Sequence, residues 1–427
     1  MKKLLTVLVA SALFVPAFAG SILNNVETYG EIQTIGTLSK AAPGYGKNSD
    51  VSSRLLFGLG MDLVEDVKAQ VTFLNSNYWG NRNDLASSGP HGSPVQSYFY
   101  NTQVAEANVT ISNVFNAFEV KVGRQFYGDE NSAIIYFGPS HYKGRIMTTR
   151  NPIYGGPQGY VSDSRAMDAA VVTYNNEKLV ANVVYAKLYE DGVGYGDFDT
   201  SMLGFDAKYM VNDNLTAQAY LYNFRDPNYT TLYYYPKHNN FKHLGIWGVK
   251  GAYTDDAMNL GLEYAKNYGG DELFFYNKGW MLKVDASMGF KLDAADVTPR
   301  ITYVHTEQNF WSQGNYAPGI VFGGDRSNLL DGRPVRVLNI GVDFKFAALE
   351  KFSFALDYIA YNRSSMYYSA HAGWVGNEFD LMAKYAVNEY VELHGGAAYL
   401  TSLNDSSYYG WADGKAWAGQ LGMIVKF

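Results

Sequence analysis

The chain is built from short segments in which apolar and polar residues alternate. The last segment shows the pattern clearly, with Trp417, Leu421 and Phe427 on odd positions and Gln420 and Lys426 on even ones. A period of two predicts a β-strand with one apolar and one polar face. In a soluble protein the apolar face would enter a core, whereas in a secreted bacterial chain it would face lipid as the closing strand of a barrel.

Most of the chain divides into eighteen such segments. An even number of strands places both chain ends on the same side of a membrane barrel. The predicted strands are 26-38, 51-63, 67-79, 101-112, 117-127, 166-175, 178-189, 199-211, 214-225, 244-254, 258-268, 277-291, 297-306, 335-346, 351-363, 376-387, 390-401 and 415-427.

The joins between these strands are alternately short and long. Seven short joins are tight polar turns, most of them rich in Asn and Asp, such as Asn212-Asp213 and Asn388-Glu389, and Asn113 to Asn116 is a less regular eighth. The long joins carry Gly, Pro, Asn, Ser and many Tyr residues. The sequence therefore predicts short periplasmic turns and long extracellular loops on an all-β, transmembrane antiparallel barrel.

One face of most strands carries charge of both signs, and the other carries none. In segment 277-291, Leu282 and Val284 alternate with Lys283 and Asp285. A Lys or Arg at the lipid midplane costs about 2-4 kcal/mol, so the charged face must line a wet lumen. Segments 166-175 and 178-189 stay ambiguous, because Asp168 and Asn182 interrupt both faces only weakly.

The first residues, 1-19, have the pattern of a secretory signal peptide. Lys2 and Lys3 precede the apolar run Leu4 to Val15, and Ala17-Phe18-Ala19 forms a small-x-small cleavage site. We expect residues 20-427 to form a single barrel domain. The chain contains no Cys, 36 Tyr and 43 Gly, and a formal charge of -7. This composition suits an alternating barrel with interfacial tyrosines and gives no basic surface for nucleic acid.

Eighteen tilted strands enclose more space than side chains fill, which predicts an aqueous channel unless a loop occupies it. The longest join, 128-165, is the natural candidate to fold inward and narrow the pore. A TonB-type transporter is not expected, because it would need about twenty-two strands and an N-terminal plug domain.

The segment Lys121 to Glu130, K-V-G-R-Q-F-Y-G-D-E, resembles the strand-and-loop signature of alginate-export outer-membrane barrels. The segment Glu378 to Tyr399 is similar to the penultimate hairpin of that family. The resemblance implies an eighteen-stranded barrel that passes a polyanionic polysaccharide. It matches Arg124 to a pore arginine and Arg165, more loosely, to a second one. Parity places Arg124 on the apolar side, so it needs a bulge at Gly123 to turn inward, or it lies near the rim.

Strand parity predicts ten basic and ten acidic residues on the inner wall, so strong anion selectivity is not expected. The pore-lining candidates, with the two family-implied arginines, are Arg124, Arg165, Lys121, Glu119, Arg54, Lys208, Asp206, Lys283, Asp285, Arg300, Asp343, Asp357, Lys384 and Asp380.

The sequence favours no enzyme, cofactor or metal. Only seven His are present, and no nucleophile elbow or zinc-protease motif occurs. His394 lies beside Glu392, where a lumen-lining role is the simpler explanation. The segment Tyr229 to Tyr235 either stacks sugar rings or belongs to the aromatic girdle. Asp325 and Asp331 lack the spacing of a calcium loop.

Two functions follow from these features. The first is an outer-membrane porin through which hydrophilic solutes, with saccharides as one class, diffuse past a charge-lined wall. The second is a surface adhesin or structural barrel that binds through its long Tyr-rich loops. The expected partners are outer-membrane lipid, the solute, and the barrel-assembly machinery, since the terminal Phe427 resembles its recognition signal.

Overall fold

The computed structural model describes residues 24–40, 47–78, 102–129, 131–138, 166–191, 198–225, 243–269, 278–314, 316, 318–320, 330, 334–363, 374–401 and 415–427. The predicted signal peptide, Arg165, the segment Tyr229 to Tyr235, Asp325 and Asp331 lie outside these residues. No helix in the described part of the chain is long and apolar enough to cross a bilayer.

The described residues form a closed antiparallel sheet and one short hairpin. The strands are β1 Asn24–Lys40, β2 Lys47–Val64, β3 Val67–Tyr78, β4 Gln103–Val114, β5 Phe118–Gln125, β6 Tyr127–Gly128, β7 Tyr136–Phe137, β8 Met167–Asn175, β9 Leu179–Asp191, β10 Phe198–Met210, β11 Leu215–Arg225, β12 His243–Thr254, β13 Met258–Gly269, β14 Trp280–Met288, β15 Phe290–Lys291, β16 Ala295–Thr306, β17 Val335–Phe346, β18 Phe352–Arg363, β19 Trp374–Ala386, β20 Val391–Thr401 and β21 Ala416–Lys426.

The sheet is a barrel of eighteen spans. Among the described residues it contains nineteen strands, but β14 and β15 are separated only by Gly289 and both pair with β16. Each span pairs with its neighbours in sequence, and β1 pairs with β21 to close the ring. The eighteen predicted strands are therefore confirmed, with ends that differ by a few residues.

Four of the short turns share one hydrogen-bonding pattern. The side chains of Asn176, Asn212, Asp255 and Asn388 each accept from the backbone N–H groups two and three residues later, at 2.7–2.9 Å. The bonds from the Ala257 and Met258 N–H groups lower the pKa of Asp255, because they stabilise its carboxylate. This chemistry explains why Asn and Asp begin these turns.

The outer surface of the barrel is apolar. Leu203, Leu262 and Leu421 expose 58%, 56% and 72% of their surfaces, and they alternate with buried or polar inward residues along β10, β13 and β21. Such a continuous apolar exterior needs lipid around it. The end of the barrel with the short turns is called the turn end below, and the opposite end is called the loop end.

Candidate functional site: the barrel lumen

The inner wall changes character along the barrel axis. On β10 the inward residues run from buried Met202 near the loop end to Asp206 and exposed Lys208 near the turn end. On β12 they run from fully buried Ile246 to Lys250. On these two strands the charged inward residues therefore lie towards the turn end, whereas the buried inward residues towards the loop end are apolar.

The apolar wall is covered by an inserted segment, residues 131–138 of the long join after β5. Its residues Ala133 to Phe137 are at most 5% exposed. Ala133, Ile134, Ile135 and Phe137 form one cluster with inward residues of the barrel, which include Met167, Val184, Met202, Tyr220, Tyr222, Phe224, Leu244, Ile246, Met281, Val304, Val337, Ile359 and Tyr361. The prediction that this join folds inward is confirmed for these described residues.

The inserted segment begins as a small hairpin. Strand β6 pairs Tyr127 with Phe137 and Gly128 with Tyr136 of β7. Gly128 has φ +88°, and a side chain there would bring its Cβ within 2.5 Å of the Ile135 carbonyl oxygen. Glycine is therefore required where the chain leaves β5 and turns into the lumen.

A second segment from the join after β16 lies against the first. The Ser312 hydroxyl donates to the Ala133 carbonyl at 2.7 Å, and the Gln313 N–H donates to the Ile134 carbonyl at 2.9 Å. Phe310 is fully buried in the same cluster, and Trp311 packs edge-on against Phe224 at 5.4 Å. Only the first insertion was predicted from the sequence, although the Phe310-Trp311 pair in a long join was a signal for the second.

Carboxylates of the wall hold the second segment in place. The Ile320 N–H donates to Glu378 Oε1 at 2.6 Å and to Asp380 Oδ2 at 3.0 Å, and the Tyr361 hydroxyl donates to the Pro318 carbonyl. Glu378 and Asp380 are 0% and 4% exposed. Asp380, predicted to line a wet pore, is therefore buried and anchors a loop. Its lumenal parity was predicted correctly, but its wet surroundings were not.

A cavity of about 240 Å³ lies between the inserted segment and strands β9 to β13. It is only partly enclosed. Asp206 accepts hydrogen bonds from Asn182 Nδ2 at 3.0 Å, from the Tyr222 hydroxyl at 3.3 Å and from the Tyr127 hydroxyl. The full lining is Tyr127, Gly128, Asp129, Ser132, Ile134, Ile135, Asn182, Asp206, Gln218, Tyr220, Tyr222, Lys250 and Glu263. The cavity thus combines aromatic walls with converging polar groups, as solute sites do.

The next part of the wall carries a three-strand charge network. The Nη1 and Nη2 groups of Arg300 each donate a hydrogen bond to one carboxylate oxygen of Asp357 at 2.7 Å, and its Nε–H donates to Asp343 at 3.0 Å. Beside it, Lys283 lies 2.6 Å from Asp285. The bidentate geometry is the strong form of such a pair.

Three further candidate cations have carboxylate partners. Arg54 lies 3.2 Å from Glu31, Lys121 lies 3.8 Å from Glu106, and Lys384 lies 3.7 Å from Glu392. Glu119 lies exposed on the same face as Lys121, and its carboxylate is 3.4 Å from the Ser112 hydroxyl. Cations and acids therefore alternate around the wall, and no all-basic stripe is formed by these residues.

Arg124 departs from the expected arrangement. It is exposed on the same side as Val122, and its register with Ala107 and Asp168 is continuous, so no bulge at Gly123 turns it inward. The inward residue at this level is Gln125, whose amide donates to the Ala169 carbonyl at 3.0 Å. The structure thus places Arg124 on the outer face, and the family-based expectation of a pore arginine does not suit this position.

The Arg300 network is testable by a single substitution. Arg300→Gln leaves Asp343 and Asp357 without their cation, so we expect the zero-current potential in a salt gradient to shift towards cation preference. The side chain of Arg300 is 27% exposed. Solvent screening therefore limits the expected loss of unfolding free energy to about 1–2 kcal/mol.

Arg300→Lys is the matched control for this measurement, because it keeps the charge and loses only the bidentate geometry. Its zero-current potential should stay near that of the unchanged protein. An equal shift in both variants would show that the guanidinium charge does not set the lumenal potential.

No protein-family model matches this chain, and no curated protein matches it in sequence. Solved structures do match the barrel. It is similar to OprD from Pseudomonas aeruginosa, with a TM-score of 0.59 and 12% identity over 96% of this chain and 97% of that chain. It is similar to a BenF-like porin from Pseudomonas fluorescens Pf-5, with a TM-score of 0.59 and 11% identity over 95% and 100%.

A third match is OccK3 (OpdO) from Pseudomonas aeruginosa, with a TM-score of 0.56 and 12% identity over 94% of this chain and 96% of that chain. The matches extend over nearly the whole of both chains, so they concern the complete barrel. They support a porin-like barrel in general, and the narrower alginate-export resemblance stays a prediction from short motifs. This chain therefore has the fold of bacterial outer-membrane porins.

Proposed function

We propose that this protein is an outer-membrane porin through which small hydrophilic solutes, saccharides among them, pass by diffusion. The observation that carries the proposal is the inner wall below the inserted segments. There, Lys121, Lys283, Arg300 and Lys384 each lie within 4 Å of a carboxylate. A wall of paired charges is wet and polar but has little net potential, which suits passage without strong charge selection.

The apolar cluster at the loop end favours a second candidate. A barrel in which twenty-five buried hydrophobic residues of the described ranges form one cluster resembles a rigid scaffold for surface loops, as an adhesin or structural barrel would need. The two candidate functions differ in ion conduction: a porin conducts ions, whereas a scaffold barrel does not.

Conductance of the purified protein in a planar bilayer separates the two candidates. We expect stable stepwise currents and a zero-current potential close to zero in a tenfold salt gradient, because the lumenal charges are mixed. A folded barrel that gives no current steps would refute the porin. Steps with strong anion preference would instead contradict the assignment of acidic residues to the lumen.

A further inference from the structure

The cavity beneath the inserted segment touches both that segment and charged residues of the barrel wall. Five successive wall strands, β9 to β13, contribute to it, together with Tyr127, Gly128, Asp129, Ser132, Ile134 and Ile135. A solute that moves along this side of the lumen meets the cavity where the wall changes from apolar to charged. Its chemistry therefore bears on which solutes are retained there.

Tyrosine rings form one side of the cavity. Tyr220 and Tyr222, on the same inward face of β11, have ring centroids 6.0 Å apart and nearly parallel planes at 27°. Tyr127 of β6 stands edge-on to Tyr222 at 6.5 Å. Tyr220 and Tyr222 are 6% and 2% exposed, so little of the ring surface reaches the cavity, and the packed rings serve to fix the positions of its polar groups.

The polar groups of the cavity are held in position by one another. Glu263 accepts from the Tyr220 hydroxyl at 2.9 Å, and Asp206 accepts from Asn182, Tyr127 and Tyr222. Each carboxylate can accept further bonds, and Gln218 and Ser132 can both donate and accept. A hydroxyl also does both, so a polyhydroxylated solute fits this mixture without leaving a buried group unsatisfied.

The charge of the cavity selects against anions. Asp129, Asp206 and Glu263 line it, whereas Lys250 is the single basic residue of its lining. The hydrogen-bond donors to Asp206 are neutral side chains. A uronate would bring a fourth carboxylate into this space, and like charges at short range repel strongly when they are partly desolvated.

We propose that this cavity is a binding subsite for an uncharged monosaccharide unit and that it discriminates against uronic acids. The inference rests on the proposed porin function and opposes the polyanionic substrate that the alginate-export resemblance implies. The packed tyrosines hold the carboxylates and amides that bind the sugar hydroxyls, and the excess of acids excludes the oxidised counterpart of the sugar.

Single-channel currents through the full-length protein test the subsite, with methyl α-glucoside, sodium glucuronate and choline as probes. We expect the glucoside to reduce the current in a saturable manner and glucuronate to require about tenfold higher concentration. Choline carries a cation and only one hydroxyl. Equal or stronger reduction by choline would show a cation site and overturn the proposal, as would equal reduction by glucuronate.

Two pairs of variants locate the effect. Glu263→Gln keeps an acceptor for Tyr220 and removes one charge, so the glucoside-to-glucuronate ratio should fall to about threefold. Glu392→Gln, which makes the same charge change on the lumen wall outside the cavity, should leave the ratio near tenfold. Tyr220→Phe should retain the reduction by glucoside, and Tyr220→Leu should abolish it.

Equal ratios in the two glutamine variants, or equal behaviour of the two Tyr220 variants, would overturn the subsite. If the protein gives no current steps, the porin function fails instead. Calorimetry with methyl α-glucoside and the detergent-solubilised protein then decides the subsite separately, since binding does not require conduction.

Discussion

Replacing Ile134 by Asp is expected to release the inserted segment and to raise the single-channel conductance about twofold or more. Ile134 is 1% exposed within the apolar cluster, and its carbonyl accepts the Gln313 N–H. An ionised carboxylate in such a cluster costs several kcal/mol, which exceeds what one buried Ile contributes, about 1.5–3 kcal/mol. The segment lowers its free energy by moving its new charge into water.

Ile134→Val is the control for this variant. It removes one methylene, should lower the unfolding free energy by about 1 kcal/mol, and should leave the conductance unchanged. Planar-bilayer recordings give the conductance, and heat-dependent electrophoretic mobility verifies that each barrel is folded. A folded Ile134→Asp barrel with unaltered conductance would show that the inserted segment does not narrow the path.

Substitution of Gly30 by Val is expected to disrupt the closing seam, with a loss of unfolding free energy of about 3 kcal/mol or more. The Gly30 N–H donates to the Phe427 carbonyl at 2.7 Å, and the Phe427 N–H donates to the Gly30 carbonyl at 3.1 Å. A Cβ at Gly30 would lie 2.5 Å from the Leu56 carbonyl oxygen and 2.7 Å from Phe427 Cζ. The backbone contact cannot be relieved by a rotamer change, so the strands must separate.

Gly60→Val on the neighbouring strand is the matched control, because a Cβ at Gly60 meets no atom within 4 Å. Valine also favours strand geometry, so this variant should be neutral or slightly more stable. Urea unfolding in vesicles compares the two variants. Coincident midpoints would mean that the terminal pairing of Gly30 with Phe427 contributes little to barrel stability.

The wall of the barrel was predictable because its determinants are local. Period-two alternation identifies each strand, and Asn or Asp at the turn starts supplies bonds within three residues of itself. The closing strand illustrates this well: Leu421 and Met423 expose the face that parity assigned to lipid, and Gln420 is buried on the other side.

The two ambiguous segments show where local information ends. In β8 and β9 the inward residues Met167, Ala169, Val184 and Ala186 are apolar, and Val183 and Tyr185 on the outer face are apolar as well. Alternation in polarity disappears when both faces meet apolar surroundings. The inner face does so only because the inserted segment lies against it.

Residue roles within the lumen required the same long-range information. Asp380 has the parity of a pore-lining acid, but Ile320, sixty residues away in sequence, converts it into a loop anchor. Arg124 shares a short motif with a family pore arginine, yet the continuous register of β5 points it outward. A sequence motif identifies the type of residue at a position, whereas the strand register decides which face of the sheet its side chain is on.

The sequence by itself determined the strand number, the turn end and loop end, the lipid face and the closing pair β1 and β21. Each of these features depends on one of three kinds of contact. The contacts lie within a strand, within a turn, or between two strands that are neighbours in sequence or that carry the two chain ends. Only the tertiary structure decided what fills the lumen. Ser312 donates a hydrogen bond to Ala133, 179 residues away in sequence. The cavity lined by Tyr220 and Glu263 forms because such distant segments meet inside the barrel, and no periodic pattern in the sequence indicates these contacts.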